Sequence, residues 1–170
     1  CRAEMLASEA WGKPRDASRL PAPRGNGLWS QEIYYHILNA GIRLPPSAGS
    51  ASGVLPNPVG YNRVYVHLDD QELTRDKWFA ALAAGQCFVT NGPLLRVKAN
   101  GNLPGGVIKL SGDKAQAVEL SIQLTTKDRV SAVEVIQNGK VVQTIPCADE
   151  TDQHLKASLK IDQSGWFLVR

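Results

Sequence analysis

The stretch that decides the fold is Ser131–Ile145, SAVEVIQNGKVVQTI. Two runs rich in β-branched residues flank Asn138-Gly139. That dipeptide tolerates positive φ at both central positions of a type I′ turn, whose twist matches two antiparallel strands. The segment therefore predicts a tight β-hairpin.

The same texture extends on both sides. AVELSIQLT (117–125) alternates, with Val118, Leu120, Ile122 and Leu124 on one face. HLKASLKI (154–161) alternates through Leu155, Ala157, Leu159 and Ile161, and GWFLVR (165–170) opens a further strand. Upstream, QCFVT (86–90) and LLRVKA (94–99) read as strands, with Asn100-Gly101 as another tight-turn signal. Strands about ten residues apart with turns between them predict an immunoglobulin-like β-sandwich. The Cys…Trp…Cys spacing of antibody domains is absent. The chain stops inside what reads as a strand, so an open sandwich edge able to pair with another chain is expected.

Before residue 86 the pattern is helical. AEMLASEAW (3–11) fits a short helix, and the Pro- and Gly-rich stretch 12–28 reads as loop. Ser30 suits the N-cap of a helix through QEIYYHILNA, with Ile33, Ile37 and Leu38 as its apolar stripe, aided by Tyr34. Gly41 is a suitable stop and Pro45-Pro46 forbids continuation. NRVYVHL (62–68) reads as a strand. Thr74 or Asp70 can cap a helix RDKWFAALAA (75–84) that ends at Gly85 and buries Trp78, Ala81 and Leu82. Trp78 and Trp166 are expected as core anchors. The chain divides into an α/β unit, 1–85, and a β unit, 86–170.

Composition narrows the function classes. The 170 residues carry 19 basic and 16 acidic side chains, net +3, interspersed along the chain. With no run of Lys and Arg in sequence, nucleic-acid binding is not expected. No stretch approaches the roughly 20 apolar residues of a membrane helix. Cys1, Cys87 and Cys147 match no metal spacing; Cys87 reads as a buried thiol, and one bridge is compatible with an oxidising compartment but not required by spacing. Both ends read as cuts within a longer protein. They give no compartment, and an extracytoplasmic site is the weak preference.

Three stretches resemble a known group: YYHILNAGIRLPPSAGSASGVLPNPVGYNRVYV (34–66), KWFAALAAGQCFVTNGPLL (77–95) and VKANGNLPGGVIKL (97–110). They are similar to the C-terminal part of the CehA/McbA-like metallohydrolases of the polymerase-and-histidinol-phosphatase (PHP) superfamily. The TNGP that follows W..AL..G is the more specific feature. The resemblance implies a distorted β/α barrel that holds up to three metal ions through His, Asp and Glu and hydrolyses phosphoesters, followed by a β-sandwich. Residues 1–85 then read as a partial barrel remnant, and the fold class as α+β. The family's late metal motif, Gly-Ser-Asp-x-His, falls on residues 49–53. Gly49 and Ser50 match, but the Asp position is Ala51 and the His position is Gly53. The earlier His-x-His ligands would precede Cys1. A hard divalent ion needs converging carboxylates or imidazoles. His36, His67 and His154 stand on three separate elements, so no catalytic or metal residue is assigned within this chain; the resemblance leaves room for a divalent metal in the intact parent only.

The loop before residue 66 remains a candidate ligand pocket. Ser50, Ser52, Asn57, Tyr61 and Arg63 offer hydroxyl, amide and guanidinium groups, and Thr90 and Asn91 begin the next loop. Arg63 suits a phosphate or carboxylate. In the competing reading Asn57 and Asn62 only form turns and Arg63 pairs with Asp69. GSASG is not a nucleophile elbow, because Ala51 occupies the nucleophile position and prolines crowd both sides. The resulting expectation is an inactive or accessory piece of a PHP-like hydrolase with a small phosphorylated or carbohydrate-like ligand. The alternative is a non-enzymatic binding or adhesion module built on the sandwich.

Overall fold

The computed structural model describes residues 16–21, 25–53, 58–69, 72–111 and 115–170. The helix expected over 3–11, together with Cys1, Asn57 and Asp70, lies outside these residues. In chain order the elements are α1 (Gly25–Asn39), β1 (Arg63–Val66), α2 (Arg75–Ala83), β2 (Cys87–Thr90), β3 (Leu94–Ala99), β4 (Gln116–Thr125), β5 (Ala132–Gln137), β6 (Lys140–Pro146), β7 (Asp152–Ile161) and β8 (Phe167–Val169).

The hairpin forms as its sequence dictates. Asn138 and Gly139 take φ of 49° and 85°, and Gln137 faces Lys140 across the turn. β5 is the centre of an open sheet ordered β6-β5-β8, and β4 the centre of a second, β3-β4-β7; every pair is antiparallel. The inward residues of β4 (Val118, Leu120, Ile122, Leu124), β5 (Val133, Val135) and β7 (Ala157, Leu159, Ile161) form one buried cluster. Leu95, Val97, Ile145, Phe167 and Val169 close it from the flanking strands. Two sheets sharing one apolar core are compatible with a sandwich. Alternation produces this directly, because successive side chains leave opposite faces of a strand.

β5 departs from simple alternation at its end. A register shift between Val135 and Ile136 leaves Val135 0% and Ile136 1% exposed, so both are buried. Ile136 stands outside the inter-sheet cluster. α1 meets the second sheet at the hairpin: the Tyr35 and Trp166 rings pack with centroids 5.1 Å apart and planes tilted by 44°, and the Trp166 Nε1–H donates to Asn39 Oδ1 at 2.7 Å. Trp166 is therefore a tether for α1 rather than a member of the inter-sheet core.

The helices need two corrections. α1 begins at Gly25, so Ser30 is inside the helix and not its N-cap. The Gly25 N–H donates to the Pro21 carbonyl at 2.9 Å. Ile33 is 44% exposed, which removes it from the buried stripe. α2 follows its sequence signals: Thr74 Oγ1 accepts from the Lys77 N–H, and Gly85 turns the chain at φ +77°. Ala81 is buried, whereas neighbouring Phe79 is 54% exposed.

β2 pairs antiparallel with β1, Val64 opposite Val89 and Val66 opposite Cys87. This two-stranded ribbon thus spans the division at residues 85 and 86. The two parts also touch through backbone. A Cβ placed on Gly105 would lie 2.0 Å from the Ala84 carbonyl oxygen and 2.8 Å from the Gly85 Cα. Arg43 adds a hydrogen bond to the Gly105 carbonyl at 2.6 Å. Cys87 and Cys147 are both free. Among the described residues no helix is long and apolar enough to cross a membrane.

Candidate functional site

The candidate site lies where the loop after α1 meets the end of the β1–β2 ribbon. Tyr34, on α1, donates its hydroxyl to the Leu44 carbonyl at 2.8 Å, and the Cys87 thiol reaches the Pro46 carbonyl at 3.6 Å. Burial pushes the ionisation of both groups up, and the neighbouring Cys87 and Tyr35 add to the effect at Tyr34.

Ser50 fixes the next stretch. Its Oγ accepts the Asn62 N–H at 2.8 Å and donates to the Asn62 carbonyl at 3.2 Å, while Asn62 Nδ2 donates to the Gly49 carbonyl at 3.1 Å. The Ser50 hydroxyl holds two chain segments together. It is the side chain that places residues 61–63, and a ligand donor only at the expense of that joint.

Arg63 then opens β1 directly opposite Thr90, so their side chains leave the same face of the ribbon. Two residues further along that face, Tyr65 and Phe88 stack at 5.2 Å with 10° between ring planes. Thr90 is committed to its own turn: its Oγ1 donates to the Pro93 carbonyl at 2.5 Å and accepts the Gly92 N–H at 3.0 Å. This is the physical content of the TNGP sequence, a hydroxyl replacing a backbone partner in a turn. Asn91 is exposed beside it and Ser52 is exposed on the loop, while Tyr61 is half-buried next to Asn62.

Arg63 Nε and Asn62 Oδ1 are both buried and have no hydrogen-bonding partner. A buried donor and a buried acceptor left unmade each cost on the order of 1–3 kcal/mol. Asn62 did not stand out in the sequence beyond a turn-forming role. The signal that could have found it is its position immediately before the strand carrying Arg63. The competing reading, in which Arg63 pairs with Asp69, is not what forms. Asp69, at φ +49°, instead holds His67 Nε2 at 2.7 Å.

The donor set at residues 49–53 does not fit a metal ion. Ala51 presents a methyl group, Gly53 a hydrogen, and the Ser50 oxygen is already engaged by Asn62. Ala51 also sits at φ +50°, a left-handed conformation that costs a side-chain-bearing residue about 1–2 kcal/mol. Among the described residues no three His, Cys, Asp or Glu side chains gather into a metal-holding group. His36 lies on α1, His67 just past β1 and His154 on β7.

Comparison with protein-family models, with curated proteins and with solved structures finds no match.

Proposed function

We propose that this chain is an accessory, ligand-binding portion of a PHP-like metal-dependent hydrolase and not its catalytic centre. On this reading residues 1–85 are the distorted end of a β/α barrel, and the two larger sheets form an immunoglobulin-like sandwich behind it. The antiparallel β1–β2 pair differs from the parallel strands of a regular barrel, so the remnant would be its rim. The divalent metal would belong to residues of the parent outside this chain.

The observation that carries the proposal is the unpartnered Arg63 Nε together with the unpartnered Oδ1 of the preceding residue, Asn62. One is a cationic donor and the other an acceptor. Both atoms are closed off from solvent, so a ligand would reach them only as their surroundings open; one with a phosphate and a free hydroxyl would then satisfy both, the phosphate taking the guanidinium N–H and the hydroxyl donating to the amide oxygen. A sugar phosphate has that chemistry, and the Tyr65–Phe88 stack supplies an apolar wall on the same ribbon face.

Titration of the chain with glucose 6-phosphate, followed by amide chemical shifts, tests the reading. Saturable shifts are expected at Ser50, Asn62, Arg63 and Asn91, weakened at least about tenfold by Arg63→Gln, the loss of one charge-assisted hydrogen bond. Absence of saturable shifts at millimolar ligand, or equal binding by the variant, overturns it.

A further inference from the structure

A second surface, independent of Arg63, emerges only when the strand register is laid out. On the outer face of the β3-β4-β7 sheet, Arg96 lies opposite Gln123, which lies opposite His154. Two residues along, Lys98 lies opposite Ser121, which lies opposite Lys156. These are two consecutive rows of one face, because side chains two apart on a strand project the same way. Lys160 extends the face on β7. Arg96, Lys98, Lys156 and Lys160 are exposed, and among the described residues none of them is in an ion pair.

The face has a definite chemistry. Strands about 4.8 Å apart and same-face residues about 6.8 Å apart along each strand set neighbouring cations roughly 7–14 Å from one another. Between them stand neutral hydrogen-bonding groups, Ser121 and Gln123. One bordering acid, Glu119, accepts the Ser158 hydroxyl at 2.6 Å at the margin of the two rows. Asp152, opposite Thr125, borders the other side, one row beyond His154. No Phe, Tyr or Trp projects from the two rows, and the His154 imidazole is their single ring, so a run of bases has no stacking platform. No large apolar side chain projects from the two rows, so there is nothing to insert between lipids.

We propose that this sheet face binds a linear acidic polysaccharide, with carboxylates meeting Arg96, Lys98 and Lys156 and sugar hydroxyls meeting Ser121 and Gln123. Spaced cations alternating with hydroxyl and amide groups complement a chain that alternates charge with hydroxyls. A wide, shallow sheet suits an extended polymer better than a compact ligand.

The test uses the full 170-residue chain and an oligogalacturonate probe at low salt. Amide shifts are expected at residues 96, 98, 121, 123 and 156. Lys98→Gln/Lys156→Gln is expected to weaken binding at least about tenfold and to flatten its salt dependence, because fewer counterions are released. Lys127→Gln, off this face, is expected to bind as the parent does. The unfolding midpoint of each variant separates lost binding from lost structure. Equal affinity in the double variant, shifts elsewhere than this face, or no binding at millimolar oligomer overturns the proposal. So does tighter binding to single-stranded DNA, or to vesicles containing anionic lipid, than to the oligogalacturonate.

Discussion

Gly85 and Gly105 meet backbone to backbone, with the Cα of Gly105 2.9 Å from where a Cβ on Gly85 would stand. Both residues have positive φ, +77° and +79°. The end of α2 thus rests against the β3–β4 connection with no side chain between them, and a contact this close requires glycine on each side.

Gly105→Ala is therefore expected to destabilise strongly. It adds about 1–2 kcal/mol for the left-handed backbone and about 1–3 kcal/mol for forcing atoms apart. Thermal unfolding should show a midpoint at least about 4 °C lower. A neutral result would mean the two parts do not touch at this point.

Gly139→Ala separates strain from space. A Cβ there would meet Asn39 and Tyr35 only at 3.8 Å, an ordinary contact, yet φ is +85°. The expected loss is the backbone cost alone, about 1–2 kcal/mol by denaturant titration. A loss well above that would show that α1 packs on the turn more tightly than these distances allow.

Ala51→Gly should do the opposite. Ala51 holds φ +50° with its side chain exposed, so removing the methyl group relieves strain without opening a cavity. A gain of up to about 1 kcal/mol is expected, reduced by the extra freedom glycine gives the unfolded chain. Destabilisation would mean the methyl group packs against the loop.

Cys87 predicts a pH dependence. Burial holds its thiol neutral to higher pH in the folded protein than in the unfolded chain. Below the ordinary thiol range both states are protonated and that contribution to stability is fully present. As pH rises through the range, the unfolded state ionises first and the contribution is lost. The unfolding midpoint of the parent should fall more between pH 8 and pH 10 than that of Cys87→Ala, whose cavity cost is the same at both pH values. Parallel curves would refute it.

Removing the Trp166 tether tests the docking of α1. Asn39→Ala deletes the acceptor of a 2.7 Å hydrogen bond at an exposed position. About 0.5–1.5 kcal/mol should be lost. Trp166 fluorescence should shift as well, and an unchanged spectrum would count against the contact.

Local chemistry in the chain was enough to specify much of the fold. Asn138-Gly139 fixed the hairpin, strict alternation fixed the inward faces of β4 and β7, and Thr74 with Gly85 bounded α2. Each is a rule acting over two to four residues, where sterics and hydrogen bonding leave few choices. The replacement of an acid and an imidazole by Ala51 and Gly53 was equally legible, because a missing donor needs no geometry to be recognised. Tertiary structure alone decided which strands became neighbours, and with them the rows that gather Arg96 and Lys98 with Lys156 from charges scattered along the sequence. It also committed Ser50 and Thr90 to backbone, left Arg63 and Asn62 without partners, and set Trp166 against α1. The reason is that register between segments tens of residues apart follows from which faces can be buried together, and that is a property of the whole packed chain.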